Sequence, residues 1–163
     1  MRKVIIDGYN LIFQFPELRR ILERDLEGAR EGLLNRLGLY AGERRIQIVV
    51  VFDGDDRMVA EPEMRPYVKV LYSQPPEKAD PMIKRMIEKT QGGDIVIVSS
   101  DHEIVNYARL YGAKVVSSRQ FAHELLEKPG NEAEKKFDHP MSQEELDEWL
   151  NIFRQDEHPE ENN

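Results

Sequence analysis

The sequence has no cysteine among its 163 residues. This absence excludes a disulfide framework, a thiolate nucleophile and the zinc sites that depend on cysteine ligands. Long apolar runs are absent as well, since stretches such as IQIVVVF at 46–52 have the length of a strand and are much shorter than a membrane span. The first residues, MRK, lead into strand-like sequence without the cleavage pattern of a signal peptide. We therefore expect a cytoplasmic protein with no membrane partner.

The sequence also lacks the motifs of several common enzyme classes. It has no Gly-x-x-x-x-Gly-Lys phosphate loop, no glycine fingerprint for dinucleotides and no Gly-x-Ser-x-Gly nucleophile turn. Phosphatases that form an aspartyl-phosphate generally carry a second acid two residues after the nucleophile, and the residue two positions after Asp7 is Tyr9. The four histidines show no metal-ligand spacing. The acidic side chains are therefore the first place to look for chemistry.

The net charge of −8 is unevenly distributed. Residues 131–163 contain 11 acidic and 3 basic residues, which leaves 20 residues of each sign in 1–130. The main body is therefore neutral, and we expect no broad basic surface of the kind that grips a nucleic-acid duplex. A flexible single strand can still pass one phosphate at a time through an acidic, metal-binding cleft, with its bases stacked on aromatics such as Tyr9 or Phe13.

Short apolar runs alternate with helical periodicity along the chain. Runs rich in Val and Ile predict five strands, at Lys3–Asp7, Ile46–Asp53, Val68–Tyr72, Ile95–Ser99 and Lys114–Ser117. These runs are almost continuously apolar, which is typical of parallel strands covered on both faces. Apolar stripes predict helices over 18–40, with a break near Asp25, and over 79–87, 104–111 and 121–126. The alternation predicts an α/β fold with an open, mostly parallel sheet.

The C-terminal part of the chain has a different character. Residues 129–141 are interpreted as a linker, and residues 142–154 as an amphipathic helix. The apolar face of that helix packs either on the domain's own surface or against a partner, and its members are Leu146, Trp149, Leu150 and Phe153. Residues 155–163 are predicted to form a disordered acidic tail.

Four acidic residues lie where predicted strands end or a predicted helix begins. Asp7, Asp53 and Asp101 come at or just after the ends of three strands, and Asp80 opens the helix ADPMIKRMI. Because the carboxyl ends of parallel strands meet at one edge of a sheet, we expect the four carboxylates to share one cleft. Carboxylates placed close together repel one another and take up protons or bind a cation. Oxygen ligands without cysteine favour Mg²⁺ or Mn²⁺, so these four acids are the candidate metal ligands.

Each acid also has a local explanation. Asp80 precedes Pro81, and aspartate before proline is a common start of a helix. Asp101 lies in a segment with capping-box spacing, and Asp7 and Asp53 each precede a glycine, which is a frequent turn pair. None of these local explanations accounts for the position of all four acids at the same edge of the sheet.

Two further polar residues are candidates for the same cleft. Asn10 follows Asp7 by three residues, and its amide could orient a metal-bound water or a phosphate oxygen; the alternative is an Asx turn or a helix cap. Glu77 precedes Asp80 by three residues, and it is either a fifth acid of the cleft or a solvated loop residue.

Three basic residues are candidates for contact with substrate phosphates. Lys84 lies one helical turn after Asp80, and Arg57 and Arg119 lie in loops expected near the same edge. The alternative for all three is a solvated surface charge.

Five stretches, in this order, resemble the NYN domain of the bacterial YacP-like proteins: IDGYNLI, VVVFDG, EKADPMIKRMI, VIVSSDHEIVNYARLYGA and SSRQFAHELL. That family is a branch of the PIN-like nuclease superfamily. The resemblance implies that residues 1–128 form a nuclease domain with three layers around a central, mostly parallel five-stranded sheet. It also implies a divalent-metal site and endoribonuclease activity, and some members of the branch associate with ribosomes and cleave messenger RNA.

The resemblance assigns roles to individual positions. Asp7 and Asn10 match the DGYN motif of the family, Asp80 matches its AD motif, and Asp101 matches its SD motif, which implies that these four are catalytic residues. Asp53 matches a position near the metal. The family tends to have a longer, often basic C-terminal extension, whereas this chain has a short linker and an acidic tail.

These observations lead to one hypothesis and two alternatives. The hypothesis is an endoribonuclease that hydrolyses single-stranded RNA with Mg²⁺ or Mn²⁺ as cofactor, with the ribosome as a further partner implied by the resemblance. The first alternative is a module of the same fold that binds RNA or a protein without turnover. The second is a phosphatase or nucleotidase that uses the same acids on small substrates.

Overall fold

The computed structural model describes residues 2–55, 61–90 and 94–126. The predicted linker, C-terminal helix and acidic tail lie outside the described residues, as does Arg57. Within the described parts of the chain, no helix has the length and apolar character needed to cross a membrane.

The centre of the fold is a mixed sheet in the order β3-β4-β2-β1-β5-β6. The strands are β1 Lys3–Asp7, β2 Gln47–Phe52, β3 Glu63–Arg65, β4 Val68–Tyr72, β5 Ile95–Val98 and β6 Lys114–Val116. All neighbouring pairs are parallel except β3 and β4. The predicted mostly parallel α/β sheet is therefore confirmed, and it contains six strands because β3 adds an antiparallel edge.

β3 has no apolar run that could have identified it. The strand has the sequence EMR and lies between Pro62 and Pro66. It is held by its pairing with β4 and by ion pairs from Arg65 to Glu31 at 2.7 Å and to Glu63 at 2.5 Å. Tertiary contacts, and not local hydrophobicity, therefore place this segment in the sheet.

The helices lie on both faces of the sheet. They are α1 Gly8–Ile12, α2 Pro16–Leu22, α3 Leu26–Arg44, α4 Ala79–Thr90, α5 His102–Leu110 and α6 Ser118–Leu126. The predicted break near Asp25 is confirmed, since the side chain of Asp25 accepts a hydrogen bond of 2.9 Å from the backbone N–H of Gly28 and caps α3.

The alternation of side chains along β1 divides the core between the two faces. Val4 and Ile6 pack with residues of α1, α2, α3 and α6, whereas Ile5 packs with residues of α4 and α5. All three side chains are fully buried. A strand buried on both faces reads as a continuous apolar run, and the result is the predicted three-layer arrangement.

The strand order reverses at β1, which lies between β2 and β5. Asp7 is paired with Val51 on one side, while Ile6 is paired with Val98 on the other. The chain therefore leaves the sheet from three adjacent strands at the same edge, and residues 7, 53 and 99–101 meet there. This edge is the switch point at which open α/β sheets bind ligands.

Candidate active site

Asp7 is directed into the edge by an abrupt change from strand to helix. β1 ends at Asp7 and α1 begins at Gly8. A Cβ atom at residue 8 would lie 2.4 Å from the ring of Phe52, so only glycine lets α1 start this close to β2. The Asp7 Oδ2 accepts a bond of 3.4 Å from Ser99 Oγ.

The surroundings of Asp7 disfavour the ionised form of its carboxyl group. Burial, together with the charges of Asp53 and Asp101, raises its pKa from 3.8 to about 6, and the hydrogen bond from Ser99 opposes that change. Burial and like charges both disfavour the ionised form of a carboxyl group. Asp53 and Asp101 therefore both lie close enough to Asp7 to act on its carboxyl group, which agrees with the prediction of a shared edge.

Asp53 connects the end of β2 to the start of α4. Its Oδ1 accepts a hydrogen bond of 2.7 Å from the backbone N–H of Ala79. The following Gly54 donates its N–H to Ser73 Oγ at 3.1 Å, and a Cβ atom at residue 54 would lie 1.9 Å from the Ser73 carbonyl oxygen. The Asp-Gly pair thus forms a tight connection that fixes where the Asp53 carboxylate lies.

Asp80 is the second residue of α4, and the acid that binds the first N–H of this helix is Asp53. The Oδ1 atom of Asp80 is buried and makes no hydrogen bond within the described residues, although Lys84 Nζ lies 3.6 Å away as an ion pair. Burial, followed by the charges of Glu103 and Asp101, raises the pKa of Asp80, and the Lys84 ammonium opposes this. Asp80 is therefore electrostatically connected to the same edge.

Asp101 has the local role that its position allowed. Its Oδ1 accepts bonds from the N–H groups of Glu103 at 2.8 Å and Ile104 at 3.4 Å, so it caps α5. Its own N–H donates to Ser99 Oγ at 3.1 Å. Because the same hydroxyl donates to Asp7, Ser99 is a direct bridge between the two predicted catalytic acids.

Asn10 links three elements at the edge. Its side-chain oxygen accepts bonds of 2.8 Å from the Ser100 N–H and of 2.5 Å from Ser118 Oγ. Ser118 also donates its backbone N–H to Ser100 Oγ at 3.0 Å. The Asn10 side-chain oxygen therefore does not form the Asx turn or helix cap that was the alternative prediction. It positions the loop after β5 against α6, and the amide nitrogen is the part of the side chain that could donate to a phosphate.

Lys84 is not a solvated charge. Its ammonium lies 3.6 Å from Asp80 Oδ1, 3.7 Å from Glu103 Oε1 and 5.4 Å from the centre of the Tyr107 ring. Only 25% of the side chain is exposed. Arg119, in contrast, is exposed on α6 next to Ser118.

Glu77 lies in the loop before α4, which agrees with the loop alternative, and there it is paired with a basic residue of α4. Its carboxylate binds the guanidinium of Arg85 with two hydrogen bonds, at 2.8 and 2.5 Å. This pairing lowers the pKa of Glu77. The negative charge of Glu77 is therefore paired with the positive charge of Arg85, a residue of α4.

The donor set fits a hydrated divalent cation. The carboxylates are hard oxygen donors, Asp7 is destabilised by like charges, and the buried Asp80 Oδ1 has no hydrogen-bond donor among the residues described. In the ranges 2–55, 61–90 and 94–126, no three acidic or histidine side chains are close enough to bind one ion directly. Mg²⁺ commonly binds through one or two carboxylates and keeps several waters, which is the mode that this spacing allows.

Sequence reasoning missed the serines that organise the edge. Ser99 and Ser118 are completely buried, and with Ser100 they hold Asp7, Asn10 and Asp101 in place. Glu103 was also missed, although it binds Lys84 and raises the pKa of Asp80. The signal was present as paired serines directly after β5 and β6, where small polar residues end otherwise apolar strands.

Comparison with known families identifies this arrangement. The family model of the YacP-like NYN domain matches residues 4–155, which is most of the chain. The chain belongs to this family. The YacP-like NYN proteins are PIN-like nucleases, so membership of the family indicates a nuclease-type, RNA-related function for this chain. Nucleases of this kind generally use divalent metals.

Individual relatives of the YacP-like NYN family agree with the assignment. A Bacillus subtilis protein described as "Uncharacterized protein YacP" is 23% identical over 124 residues, which cover 76% of this chain and 72% of the relative. The crystal structure of Rae1 (YacP) from Bacillus subtilis superposes with a TM-score of 0.66 at 23% identity, covering 95% of this chain and 94% of the other. A mutant of Rae1 (YacP) gives a TM-score of 0.63 at 25% identity, covering 77% and 75%. The fold is therefore that of YacP.

Proposed function

We propose that this protein is a divalent-metal-dependent endoribonuclease that hydrolyses single-stranded RNA. The observation that carries the proposal is the position of Asp7. It is mostly buried at the switch point of the sheet, its pKa is raised by burial and by Asp53 and Asp101, and Ser99 connects it to Asp101. A carboxylate in such surroundings is stabilised by a cation. The ribosome as a site of action remains a prediction from the family resemblance.

Asp7, Asp80 and Asp101 would hold Mg²⁺ or Mn²⁺ mainly through its water molecules, with at most two of these carboxylates in direct contact with one ion. Asp53 would contribute through Oδ2, because Oδ1 is already bound to the Ala79 N–H. When bound, the ion supplies an activated water and stabilises negative charge on the phosphate. No cysteine or histidine ligand is involved, in keeping with hard-cation chemistry.

The chain's own residues set the geometry around these acids. Ser99 fixes the distance between Asp7 and Asp101, and Asn10 fixes the loop that carries Asp101 against α6. Rigid supporting contacts of this kind keep reacting groups aligned, and small displacements are costly for rate. We propose that the Asn10 amide nitrogen orients a phosphate oxygen or a water.

Lys84 would act first as a counter-ion and then as a contact to substrate. Its ammonium is shared by Asp80 and Glu103 in the protein alone. A divalent ion at Asp80 removes the need for this counter-charge, which allows the Lys84 side chain to interact with a substrate phosphate instead. Arg119, exposed on α6, and Arg57 are weaker candidates for the same kind of contact.

A single-stranded substrate follows from the charge distribution. Residues 1–130 carry equal numbers of acidic and basic residues, so the body lacks the excess positive charge that gives strong binding to a duplex backbone. A single strand needs few phosphate contacts when its bases also stack on the protein.

The test is cleavage of end-labelled RNA by the purified protein. The same sequence is offered as a single strand and as a duplex, in Mg²⁺, in Mn²⁺ and in a chelator. We expect internal cleavage of the single strand with metal, none in the chelator, and none by Asp7→Asn or Asp80→Asn. Asp94→Asn is the matched control, because Asp94 is exposed and immediately precedes β5, at the opposite edge of the sheet.

Three results would contradict the proposal. Full activity in the chelator would exclude the metal-dependent mechanism, and preference for the duplex would exclude the substrate class. Binding of RNA without cleavage in any metal would indicate a binding module. Release of phosphate from free mononucleotides, without cleavage of RNA, would indicate a phosphatase or nucleotidase.

A further inference from the structure

A groove opens beside the acidic edge. Its volume is about 1010 Å³, and it is formed by α1, by residues 22 and 26 at the α2–α3 connection, and by the segments that follow β2 and β4. Phe13 is 49% exposed and Leu26 is 39% exposed, so the groove presents apolar side chains to solvent. Exposed apolar surface within a concave site is typical of ligand-binding surfaces.

The aromatic side of the groove consists of Tyr9 and Phe13, and Tyr9 is supported by residues outside the groove. The ring of Tyr9 packs on Phe52 with a centroid distance of 4.9 Å, and its hydroxyl accepts a bond of 3.2 Å from Arg30 Nη1. The Arg30 guanidinium is itself placed 5.2 Å from the centre of the Tyr72 ring. Phe13 follows α1 directly, and its backbone N–H donates to the Tyr9 carbonyl at 3.1 Å. Tyr9 and Phe13 therefore lie one helical turn apart, in α1 and at its C-terminal end.

The groove is continuous with the candidate active site. Asp53 lines it, and Oδ1 of the same carboxylate accepts a bond of 2.7 Å from the N–H of Ala79, the residue before Asp80. Tyr9 lines it as well, and it lies between Asp7 and Asn10 in the chain. A polynucleotide with one phosphate at the acidic edge therefore has its neighbouring nucleotide at the entrance of the groove.

The charges of the lining favour bases over phosphates. Two acidic residues, Asp53 and Asp55, outnumber Lys78 among the lining residues, so the lining disfavours a phosphate that has no accompanying metal ion. Glu77 is paired with Arg85. A nucleobase is neutral and planar, and its N–H groups can donate to carboxylates at the rim while its face stacks on an aromatic ring. The volume is at the upper end of the range for ligand pockets, which gives room for more than one base.

We propose that this groove binds unpaired nucleobases adjacent to the cleaved phosphate, with Phe13 as the stacking surface. The inference rests on the proposed function, since it identifies where that site holds the rest of its substrate. Bases in a duplex are stacked on their own neighbours and cannot enter, so the groove also explains a requirement for single strands.

The test measures binding without cleavage. Short single-stranded oligoribonucleotides that carry 2-aminopurine are titrated with the protein in Ca²⁺, and both anisotropy and the quenching of 2-aminopurine by stacking are recorded. We expect Phe13→Ala to weaken binding by roughly 5- to 150-fold, the range for loss of one stacked base, and to abolish the quenching. Phe13→Tyr keeps a ring and should retain both signals.

Leu39→Ala is the matched control. Leu39 is 69% exposed on α3, and it lies 13 residues, or about 20 Å along the helix axis, from Leu26. Its loss should leave binding and quenching unchanged. An oligonucleotide that has an abasic site in place of the quenched base should bind the wild-type protein more weakly than the intact oligonucleotide does. The abasic oligonucleotide should bind Phe13→Ala and the wild-type protein with equal affinity.

The outcomes separate this inference from the proposed function. Equal affinity and equal quenching for the wild-type protein and Phe13→Ala would overturn the groove assignment, even if RNA is cleaved with metal. Loss of quenching in Phe13→Ala in a protein that never cleaves RNA would refute the nuclease and retain the base-binding groove. A change in the sedimentation mass of the free protein on Phe13→Ala would show that a second copy occupies the groove, and would overturn the inference.

Discussion

Asp53 Oδ1 accepts a hydrogen bond of 2.7 Å from the backbone N–H of Ala79. Through this bond the end of β2 determines where α4 begins, and therefore where Asp80 lies. Asp53 is thus at the same time a hydrogen-bond acceptor for the first N–H of α4 and a source of negative charge at the edge.

Replacing Asp53 separates these two roles. Asp53→Ala and Asp53→Asn both remove the charge that disfavours ionised Asp7, but only asparagine can still accept the bond from Ala79. We expect Asp53→Ala to be less stable than Asp53→Asn by about 1 kcal/mol, the usual cost of losing a helix cap. Urea unfolding of both variants in a chelator measures the difference, and equal stabilities would show that the bond does not cap α4 in solution.

Replacing Asp7 should change how stability depends on pH. Because the pKa of Asp7 is about 6 when folded and near 3.8 when unfolded, the folded state binds the proton more strongly, and ionisation of Asp7 destabilises it as pH rises through this window. Asp7→Asn should therefore match the wild-type protein below about pH 4 and exceed its free energy of unfolding by up to about 3 kcal/mol above pH 7.

Chemical unfolding at a series of pH values, in a chelator, checks this prediction. Asp94→Asn serves as the control, and its difference from the wild-type protein should not grow across the same interval. A constant difference between Asp7→Asn and the wild-type protein from pH 4 to pH 8 would refute the raised pKa.

Replacing Lys84 should strengthen metal binding. Lys84→Met removes the cation that lies 3.6 Å from Asp80 Oδ1, so a divalent ion no longer competes with it. For a partly exposed pair worth about 1 kcal/mol, the affinity for Mn²⁺ should rise roughly 3- to 10-fold by calorimetry. Lys89→Met, at an exposed position in the last turn of α4, should have no such effect. Weaker Mn²⁺ binding in Lys84→Met would instead indicate that Lys84 supports the ion.

Removing the Asn10 side chain should loosen the edge. Asn10→Ala deletes the acceptor of the bonds from Ser100 and Ser118, and we expect a loss of about 1–3 kcal/mol in the free energy of unfolding, because the buried Ser118 hydroxyl loses its acceptor. Ser118→Ala removes one of the two bonds. In a double-mutant cycle the two changes should therefore be less than additive, whereas strict additivity would show that the side chains do not interact.

The sequence by itself determined the layers and the edge. Continuous Val and Ile runs are needed by strands buried on both faces, and the side-chain periods of strands and helices are local properties, so β1, β2, β4, β5 and β6 could be identified from the residues alone. The position of Asp7, Asp53 and Asp101 at one edge followed from the rule that parallel strands end together.

Only the tertiary structure decided the partners of these residues. Ser118 lies 108 residues from Asn10 in the chain, and Ala79 lies 26 residues from Asp53, so no local pattern could show that they bind each other. From the sequence, Lys84 could equally be a solvated surface charge. The packing of α4 against α5 brings Glu103 next to it and makes the ion pair. Hydrogen bonds and ion pairs depend on ångström-scale positions, and those are fixed only when the whole sheet and its helices pack together.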